Sequence, residues 1–296
     1  PVYEMLGGPV RDTVRLYWSH CGTYRLHHHK ILGKPQLNSL EGCYQLGKEV
    51  AEANFTALKT NIFLFDEAEP QLYMAGFASE QGRHKNQGLW DLALNPDESI
   101  TAAVRDQLTA LQEGAGHEVK VLLDMNFNFK TEGYLTLARA LDDLGLMWFE
   151  IDSYDPAALR GIRRACATPI ASCESLYGRR QYKPFLEQHS MDVAIIDVPW
   201  NGILESLKIA NMVEPYEINV APHNFYGHLS TLMSAHFCAV VPHVRIMEID
   251  IDDVPWKDDL VTVPPVIKDG HLKLPEGPGW GADPDEEVIR AHPPQN

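Results

Sequence analysis

The sequence predicts an α/β protein built as a (β/α)8-type, TIM-like barrel. Strand-like and helix-like segments alternate along the 296 residues, which is typical of a parallel sheet whose strands are joined by helices. Several strand candidates are nearly continuous apolar runs, as expected where both faces of a strand are buried. Acidic residues end consecutive strands, and a barrel gathers such residues at one mouth. A doubly wound open sheet is the alternative architecture.

Eight segments have the length and composition of strands. They are residues 14–20, 56–61, 119–124, 146–150, 169–174, 193–197, 218–222 and 244–249. Apolar residues at helical spacing predict seven helices between them. These helices begin near residues 41, 96, 132, 156, 179, 202 and 229.

Two of these helices have recognisable start signals. Asn38 with Glu41 three residues later forms a capping-box pattern for the first helix. For the second helix, Asn95 is the predicted cap, Pro96 suits the first helical position and Glu98 the third. The apolar residues of this second helix share one face: Ile100, Val104, Leu108 and Leu111.

Two connections are longer than turns require. Residues 21–36 follow the first strand and residues 66–94 follow the second. Both leave the carboxyl end of a strand, where barrel active sites lie, so they are candidate lids; solvated insertions are the alternative. The segment after Asp253 is rich in proline and glycine, which predicts an irregular extension.

Composition excludes several classes of protein. The net charge of −16, with no basic stripe to offset it, argues against a nucleic-acid partner, and an anionic substrate would need a local positive site. No apolar run approaches a membrane span, and no leader opens the sequence. The cysteines are odd in number and lack CxxC spacing, which disfavours a disulfide framework or cysteine-bound zinc and favours a reducing cytoplasm. They are Cys21, Cys43, Cys166, Cys173 and Cys238.

Three successive strands end in carboxylates, namely Asp124, Glu150 and Glu174. Because the carboxyl ends of barrel strands converge, these side chains form an oxygen-rich, negative site. Carboxylate oxygens are the ligands that Mg²⁺ prefers, and without a cation the three charges would repel one another. The sequence therefore predicts a magnesium site; the alternative is that each acid caps the following helix.

The remaining strand ends carry a candidate base and its partners. His223 follows the seventh strand, and Asp197 ends the sixth, where it can hold one imidazole tautomer. Lys59 on the second strand faces the mouth together with Asn61 and can neutralise a substrate carboxylate or an enolate. Glu248 lies on the eighth strand. A structural histidine and a solvent-facing lysine are the alternatives for these positions.

The ordered set of strand motifs resembles the enolase superfamily, in particular its mandelate racemase/muconate lactonizing enzyme-like subgroup. The motifs are VYEMLGG before the first strand, then LKTN, LLDMN, WFE, ASCES, AIIDVPWNG, APHNFYG and RIMEID on strands two to eight. This resemblance implies a modified (β/α)7β barrel and an amino-terminal α+β capping domain, which we expect to be missing from this chain. We therefore expect residues 1–13 to end a connection to that domain, 14–252 to form the barrel, and 253–296 to pack back as an extension.

The resemblance also implies roles for individual residues. Asp124, Glu150 and Glu174 look like the magnesium ligands, and Asp197 with His223 looks like the general-base dyad. Glu248 matches the acid that, when protonated, donates a hydrogen bond to the enolate oxygen.

Departures from the family pattern indicate the subtype. Many members carry Lys-x-Lys on the second strand, whereas this sequence has Asn61 in place of the second lysine, as in relatives that resemble galactonate dehydratase. Those relatives have a histidine where Asn126 stands here, and the fourth strand reads EID rather than EEP. Two-base racemisation needs a base on each face of the α-carbon, so a one-base dehydration is favoured.

The resulting hypothesis is a magnesium-dependent acid-sugar dehydratase that forms a 2-keto-3-deoxy acid and assembles as a homo-oligomer. An epimerase or cycloisomerase of the same superfamily, a metal hydrolase and a non-catalytic acid-sugar-binding homologue are the alternatives. Asn61, Asn126, His20 and Tyr24 are predicted to bind substrate. The acid that protonates the leaving hydroxyl is predicted to be His223 itself or one of the loop residues His20, Tyr24, His84 and Lys85.

Overall fold

The computed structural model describes residues 1–65, 69–75 and 94–293. Of the predicted lid at 66–94, residues 69–75 and 94 are among these; the remainder, with His84 and Lys85, lies outside the described residues. In chain order the strands are β1 (Thr13–Ser19), β2 (Ala57–Thr60), β3 (Phe63–Leu64), β4 (Gln71–Leu72), β5 (Lys120–Asp124), β6 (Phe149–Glu150), β7 (Ile170–Ser172), β8 (Val193–Asp197), β9 (Asn219–His223), β10 (Met247–Asp250), β11 (Ile267–Lys268) and β12 (His271–Lys273). The α-helices are α1 (Val2–Met5), α2 (Thr23–His27), α3 (His29–Leu32), α4 (Leu40–Glu52), α5 (Glu98–Ala115), α6 (Thr131–Leu141), α7 (Pro156–Arg163), α8 (Gly178–Glu187), α9 (Val198–Asn201), α10 (Ile203–Val213), α11 (His228–Val240) and α12 (Glu286–Ala291).

Eight of these strands form a closed parallel barrel. The hydrogen-bonded order is β1–β2–β5–β6–β7–β8–β9, and β10 pairs in parallel with β1, where Leu16 lies opposite Met247. A parallel bridge between Val220 and Val244, just before β10, completes the ring on the β9 side. Helices follow each of the first seven barrel strands, and β10 passes directly into the carboxyl-terminal segment. The barrel prediction is confirmed in its modified (β/α)7β form, and the open-sheet alternative is wrong.

The barrel strands are buried on both faces, which explains their nearly continuous apolar sequences. Side chains inside the barrel form one buried cluster, in which the rings of Tyr17 and Trp148 meet edge to face with centroids 5.7 Å apart. A larger cluster fills the layer between the strands and the surrounding helices. Within the described part of the chain, no helix is long and apolar enough to cross a membrane. The packed interior leaves the carboxyl-terminal mouth as the place where polar side chains can gather.

Two predicted helix caps are wrong by one or two positions. Ser39, not Asn38, caps α4 by accepting a hydrogen bond from the backbone N–H of Gly42 at 3.2 Å. Asp97, not Asn95, caps α5, where its carboxylate accepts from the N–H of Ile100 at 2.8 Å. In both cases the neighbouring polar residue also had a suitable oxygen, and only the backbone path decides which oxygen reaches the third N–H of the helix.

The connection after β1 contains two short helices that are anchored to the barrel. Three consecutive residues of α2 reach the ends of two barrel strands. Thr23 contacts Asn61 just after β2, Tyr24 contacts Asp250 of β10, and Arg25 contacts Asp252 just after β10. Arg25 is buried, and its guanidinium donates to Asp252 at 2.7 and 2.8 Å and to Glu49 at 2.5 and 3.1 Å. This segment is therefore a fixed part of the mouth.

The carboxyl-terminal segment is more ordered than the predicted irregular extension. Strands β11 and β12 form an antiparallel hairpin, and β12 pairs with the start of β1, opposite the mouth. Leu272 of β12 is fully buried, so the segment adds to the hydrophobic core. Local composition did not reveal this pairing because the two hairpin strands are only two and three residues long.

We expect Arg25→Met to destabilise the fold by about 3–5 kcal/mol, because it leaves the buried Asp252 carboxylate without its partner. Chemical denaturation followed by circular dichroism measures this change. The matched control is Arg290→Met, since Arg290 pairs with Glu286 at the surface and such pairs often contribute nothing measurable. Equal stability of the two variants would contradict the role assigned to Arg25.

Candidate active site

The parallel register places the predicted site residues next to each other at the mouth. Asp124 of β5 lies opposite Glu150 of β6, and Asp197 of β8 lies opposite His223 of β9. Across the closure of the barrel, Ser19 of β1 lies opposite Asp250 of β10. Because all these positions are strand ends, side chains that are far apart in sequence share one small volume.

A buried lysine lies at the centre of the acidic side chains. The ammonium nitrogen of Lys59 is 3.1 Å from Asp124, 3.1 Å from Glu150 and 2.9 Å from Glu248. Burial disfavours the ammonium, but Glu150, Glu248 and Asp124 together raise the pKa of Lys59 well above its usual value. Lys59 is therefore charged, and the alternative of a solvent-facing lysine is wrong, since only 2 % of its side chain is exposed.

The positive charge near the carboxylates of the predicted metal site does not fully offset their negative charge. Burial, together with neighbouring carboxylates, raises the pKa of both Glu150 and Glu174 to about 8. The same causes raise the pKa of Asp152, a fourth acid that the sequence analysis did not single out, to about 7. Such carboxylates gain stability from an additional cation, and oxygen donors suit a hard divalent ion.

The arrangement of these side chains is not that of a preformed cage. Among the described residues, no three His, Cys, Asp or Glu side chains are positioned as a ready metal cluster. Lys59 instead bridges Asp124 and Glu150, while Glu174 Oε2 lies 3.5 Å from His223 Nε2. The donor chemistry nevertheless fits Mg²⁺. Asp124 and Glu150 are buried carboxylates on adjacent strands, Glu174 is a partly buried one that follows β7 by two residues, and the protein's own cations only partly offset their charges.

The predicted dyad is formed. His223 Nδ1 is 2.7 Å from Asp197 Oδ2, and the same oxygen accepts a hydrogen bond from the Tyr226 hydroxyl at 2.7 Å. The other oxygen of Asp197 accepts from the N–H of Trp200 at 2.7 Å. Burial opposes protonation of His223, but Glu174 and Asp197 outweigh it and raise the pKa of His223 to about 10. These contacts fix the ring so that Nε2 faces the carboxylates.

Glu248 lies against Lys59 at the mouth. Burial alone would raise its pKa, yet Lys59, His223 and His20 together hold the pKa of Glu248 well below its usual range. Its two oxygens accept hydrogen bonds, one from the Ser19 hydroxyl and one from the backbone N–H of Asn224 at 2.7 Å. In this structure Glu248 accepts two hydrogen bonds and lies against Lys59, which favours its ionised form. Its role as a protonated donor to the enolate oxygen stays a prediction.

His20 and Tyr24 converge on an acid that sequence reasoning missed. Asp250 Oδ1 is 3.0 Å from His20 Nδ1, and Asp250 Oδ2 accepts from the Tyr24 hydroxyl at 2.9 Å. Asp250 is buried and lies two residues after Glu248, on the same face of β10. Because residues two apart on a strand share a face, the sequence could have placed Asp250 at the mouth together with Glu248.

The two asparagines predicted to bind substrate also meet. Asn61 Nδ2 donates to Asn126 Oδ1 at 3.1 Å, and Asn61 Oδ1 accepts from Thr23 at 2.7 Å. The backbone N–H of Asn126 donates to Asp124 at 2.9 Å. An amide has no basic nitrogen, so this side of the mouth lacks a proton acceptor of histidine or lysine type at these two positions.

All eleven predicted site residues thus lie in one network at the mouth. They are His20, Tyr24, Lys59, Asn61, Asp124, Asn126, Glu150, Glu174, Asp197, His223 and Glu248. The loop candidates His84 and Lys85 fall outside the described residues. Sequence reasoning missed Ser19, Asp152, Tyr226 and Asp250, which act on the predicted residues as hydrogen-bond partners or neighbouring charges.

Relatives of known name cover nearly the whole chain. The chain is 29% identical over 99% of its length to the D-xylonate dehydratase of Haloferax volcanii. It is 27% identical, again over 99%, to the D-gluconate dehydratase of Thermoproteus tenax. The chain spans 64% and 52% of the lengths of these two relatives.

A solved structure from Burkholderia xenovorans, provisionally named an L-alanine-DL-glutamate epimerase, is 47% identical, with a TM-score of 0.94. The match covers all of this chain and 72% of that one. The same protein has been solved with bound magnesium and fumarate. The family model described as enolase C-terminal domain-like matches residues 45–288. The chain therefore belongs to the enolase superfamily, in its mandelate racemase/muconate lactonizing enzyme-like subgroup.

Proposed function

We propose that the protein is a magnesium-dependent acid-sugar dehydratase that removes water from a sugar acid to give a 2-keto-3-deoxy acid. The observation that carries this proposal is the fixed His223–Asp197 dyad facing the acidic cluster around Lys59. Removal of a proton next to a carboxylate needs a positioned base and positive charge where the enolate develops, and His223 and the groups around Lys59 are suited to these two roles. The dehydratase names of the two relatives support the same reaction class.

Asp124, Glu150 and Glu174 are the residues that would hold Mg²⁺. Bound there, the ion supplies a Lewis acid for the substrate carboxylate and offsets the charge of Glu174. Glu174 is the largest of the neighbouring charges that raise the pKa of His223, so a cation that offset its charge would lower that pKa. His223 Nε2 is then free to accept a proton, as a general base must be.

The protein's own residues carry the elimination. His223 Nε2 takes the proton from the α-carbon, while Asp197 holds Nδ1 and stabilises the imidazolium that forms. Negative charge develops on the substrate carboxylate, where the Lys59 ammonium neutralises it. The electron pair then forms the α–β double bond, and the β-hydroxyl takes a proton from a general acid and leaves as water. The resulting enol becomes the 2-keto acid.

An epimerase is the second candidate, because the Burkholderia xenovorans structure carries that name at 47% identity. Epimerisation by two bases needs a second proton acceptor across the α-carbon from His223. Asn61 stands where many family members have that lysine, and its amide is tied to Asn126 and Thr23. This arrangement favours dehydration, and product analysis separates the two reactions.

The proposed substrate is a small sugar acid such as D-xylonate or D-gluconate, the acids in the names of the two relatives. A homo-oligomer remains our expectation for the assembly. The five cysteines are all free, which supports the expected reducing cytoplasm.

We expect His223→Asn to abolish formation of 2-keto acid without loss of folding, because an amide cannot accept the α-proton. The measurement is a screen of mono- and diacid sugars with Mg²⁺, in which a carbonyl reagent detects the keto product. His117→Asn is the matched control, since His117 is 92% exposed and remote from the mouth. Turnover by His223→Asn at the wild-type rate would contradict the assignment of His223 as the general base.

We expect the metal-free protein to lose stability as the pH rises from about 4.5 to about 8. The pKa values of Glu150 and Glu174 are raised to about 8 in the folded state, so over this range the folded protein holds protons that the unfolded chain has lost. Mg²⁺ should reverse this loss and stabilise the folded protein more at pH 8 than at pH 5. At one hundred times its dissociation constant, the stabilisation by Mg²⁺ should be about 2.7 kcal/mol.

Thermal unfolding across this pH range, with and without Mg²⁺, measures the effect. Glu174→Gln should remove most of the stabilisation by Mg²⁺, whereas Glu132→Gln, at an exposed position in the first turn of α6, should retain it. Stabilisation by Mg²⁺ that is equal in both variants would contradict the proposed ligand set.

A further inference from the structure

The mouth of the barrel contains a second histidine–aspartate pair that repeats the contacts of the first. In the first pair, Asp197 binds Nδ1 of His223 and accepts from the Tyr226 hydroxyl. In the second pair, Asp250 lies 3.0 Å from Nδ1 of His20 and accepts from the Tyr24 hydroxyl at 2.9 Å. The reaction as described above uses only the first pair. For His20 and Tyr24 the sequence left two roles open, substrate binding and protonation of the leaving hydroxyl.

The contacts of His20 aim one ring nitrogen away from the protein. Nδ1 faces Asp250, with the Ser19 hydroxyl 3.4 Å away, whereas Nε2 makes no hydrogen bond to any of the described residues. The side chain is 19% exposed, so part of the ring can be reached by solvent. The backbone of His20 adopts a left-handed conformation with φ +43°, which is costly for a residue with a side chain and is found where a side chain must point in a particular direction.

The two pairs flank one common volume. The ring of Phe225 lies between the histidines, with its centroid 5.1 Å from that of His223 and 5.5 Å from that of His20. Below them, one oxygen of Glu248 binds the residue before His20 and the other binds the residue after His223, through Ser19 and Asn224. Both histidines are therefore tied, through their chain neighbours, to the same carboxylate at the mouth.

The charge around His20 favours its protonated form. Burial disfavours the imidazolium, but the charge of Asp250 and its hydrogen bond outweigh burial and raise the pKa of His20. Glu248 acts in the same direction, and Lys59 opposes it. The Tyr24 hydroxyl and the Phe225 ring, which complete the surroundings, carry no charge at neutral pH. With Nδ1–H directed at Asp250, the imidazolium presents its second proton on Nε2.

We propose that His20, held by Asp250 and Tyr24, is the acid that protonates the leaving hydroxyl, so that removal of the α-proton and departure of water are carried by different histidines. This inference rests on the proposed dehydration. In the step, the Nε2–H proton of His20 passes to the β-oxygen as the β-carbon–oxygen bond breaks. Water leaves with that bond's electron pair, the α–β double bond forms, and neutral His20 regains its proton from solvent.

The test separates proton removal from departure of water. Wild type, His20→Asn and His223→Asn are incubated with Mg²⁺ and either D-xylonate or D-gluconate in heavy water. We expect His20→Asn to form keto acid about 10²–10⁴-fold more slowly, the usual contribution of a general acid. Because His223 is intact, it should still place deuterium on the α-carbon of recovered substrate, as seen by NMR. His223→Asn should do neither.

A substrate whose leaving group needs no proton gives the decisive comparison. With the 3-deoxy-3-fluoro analogue of the same acid, fluoride departs as an anion, so His20→Asn should release fluoride at nearly the wild-type rate. Tyr24→Phe, a change in a positioning residue, should slow loss of water but not release of fluoride. His117→Asn should leave both rates unchanged, and thermal unfolding of every variant checks the fold.

Four results would overturn the assignment. Undiminished loss of water from His20→Asn shows that another group is the acid. Loss of deuterium exchange and of fluoride release in His20→Asn shows that His20 binds or orders the site. Formation of the epimeric acid by the wild type, abolished in His20→Asn, makes His20 a second base. A wild type that neither exchanges the α-proton nor forms keto acid from these acids refutes the proposed function first, and the His20 assignment falls with it.

Discussion

The burial of one ammonium group among the carboxylates of the mouth is the interaction on which the rest of the site depends. Lys59 contacts Asp124, Glu150 and Glu248, which come from three other strands of the barrel. Parallel strands closed into a ring bring these ends together, and without a cation their charges would repel one another. The ammonium of Lys59 offsets the negative charge of Glu248, but the pKa values of Glu150 and Glu174 remain raised. A further cation bound beside these two carboxylates would therefore stabilise their ionised forms.

Glu248 connects this charge balance to the two histidines. Its carboxylate accepts from Ser19 on β1 and from Asn224 just after β9, which are the immediate neighbours of His20 and His223. A shift of Glu248 would therefore move both histidines, and the ion pair with Lys59 keeps it in place. The three residues of α2 that reach Asn61, Asp250 and Asp252 hold the same region from outside the barrel. Positioning at this mouth thus comes from contacts between elements rather than from any one loop.

Much of the fold and of the site could be predicted from the chain because local patterns and barrel topology agree. Alternating strands and helices, together with apolar strands, indicated a barrel, and its geometry then placed Asp124, Glu150, Asp197 and His223 together at one end. The caps of α4 and α5 were wrong because neighbouring polar residues offered equivalent oxygens. The hairpin of the carboxyl-terminal segment was missed because its stability comes from pairing with β1, more than 250 residues earlier in the chain.

What the sequence by itself determined is the set of chemical groups and the strand ends that carry them, since residue type and hydrophobic period are local properties. Only the tertiary structure decided their charge states and partners. Glu248 is an acid whose burial alone would keep it protonated, yet contact with Lys59 keeps it ionised. Asp250 became the partner of His20 because closure of the barrel sets β10 beside β1. The interaction energy between two charges depends on the distance between them and on their burial. The tertiary structure sets both of these, so the sequence alone does not give them.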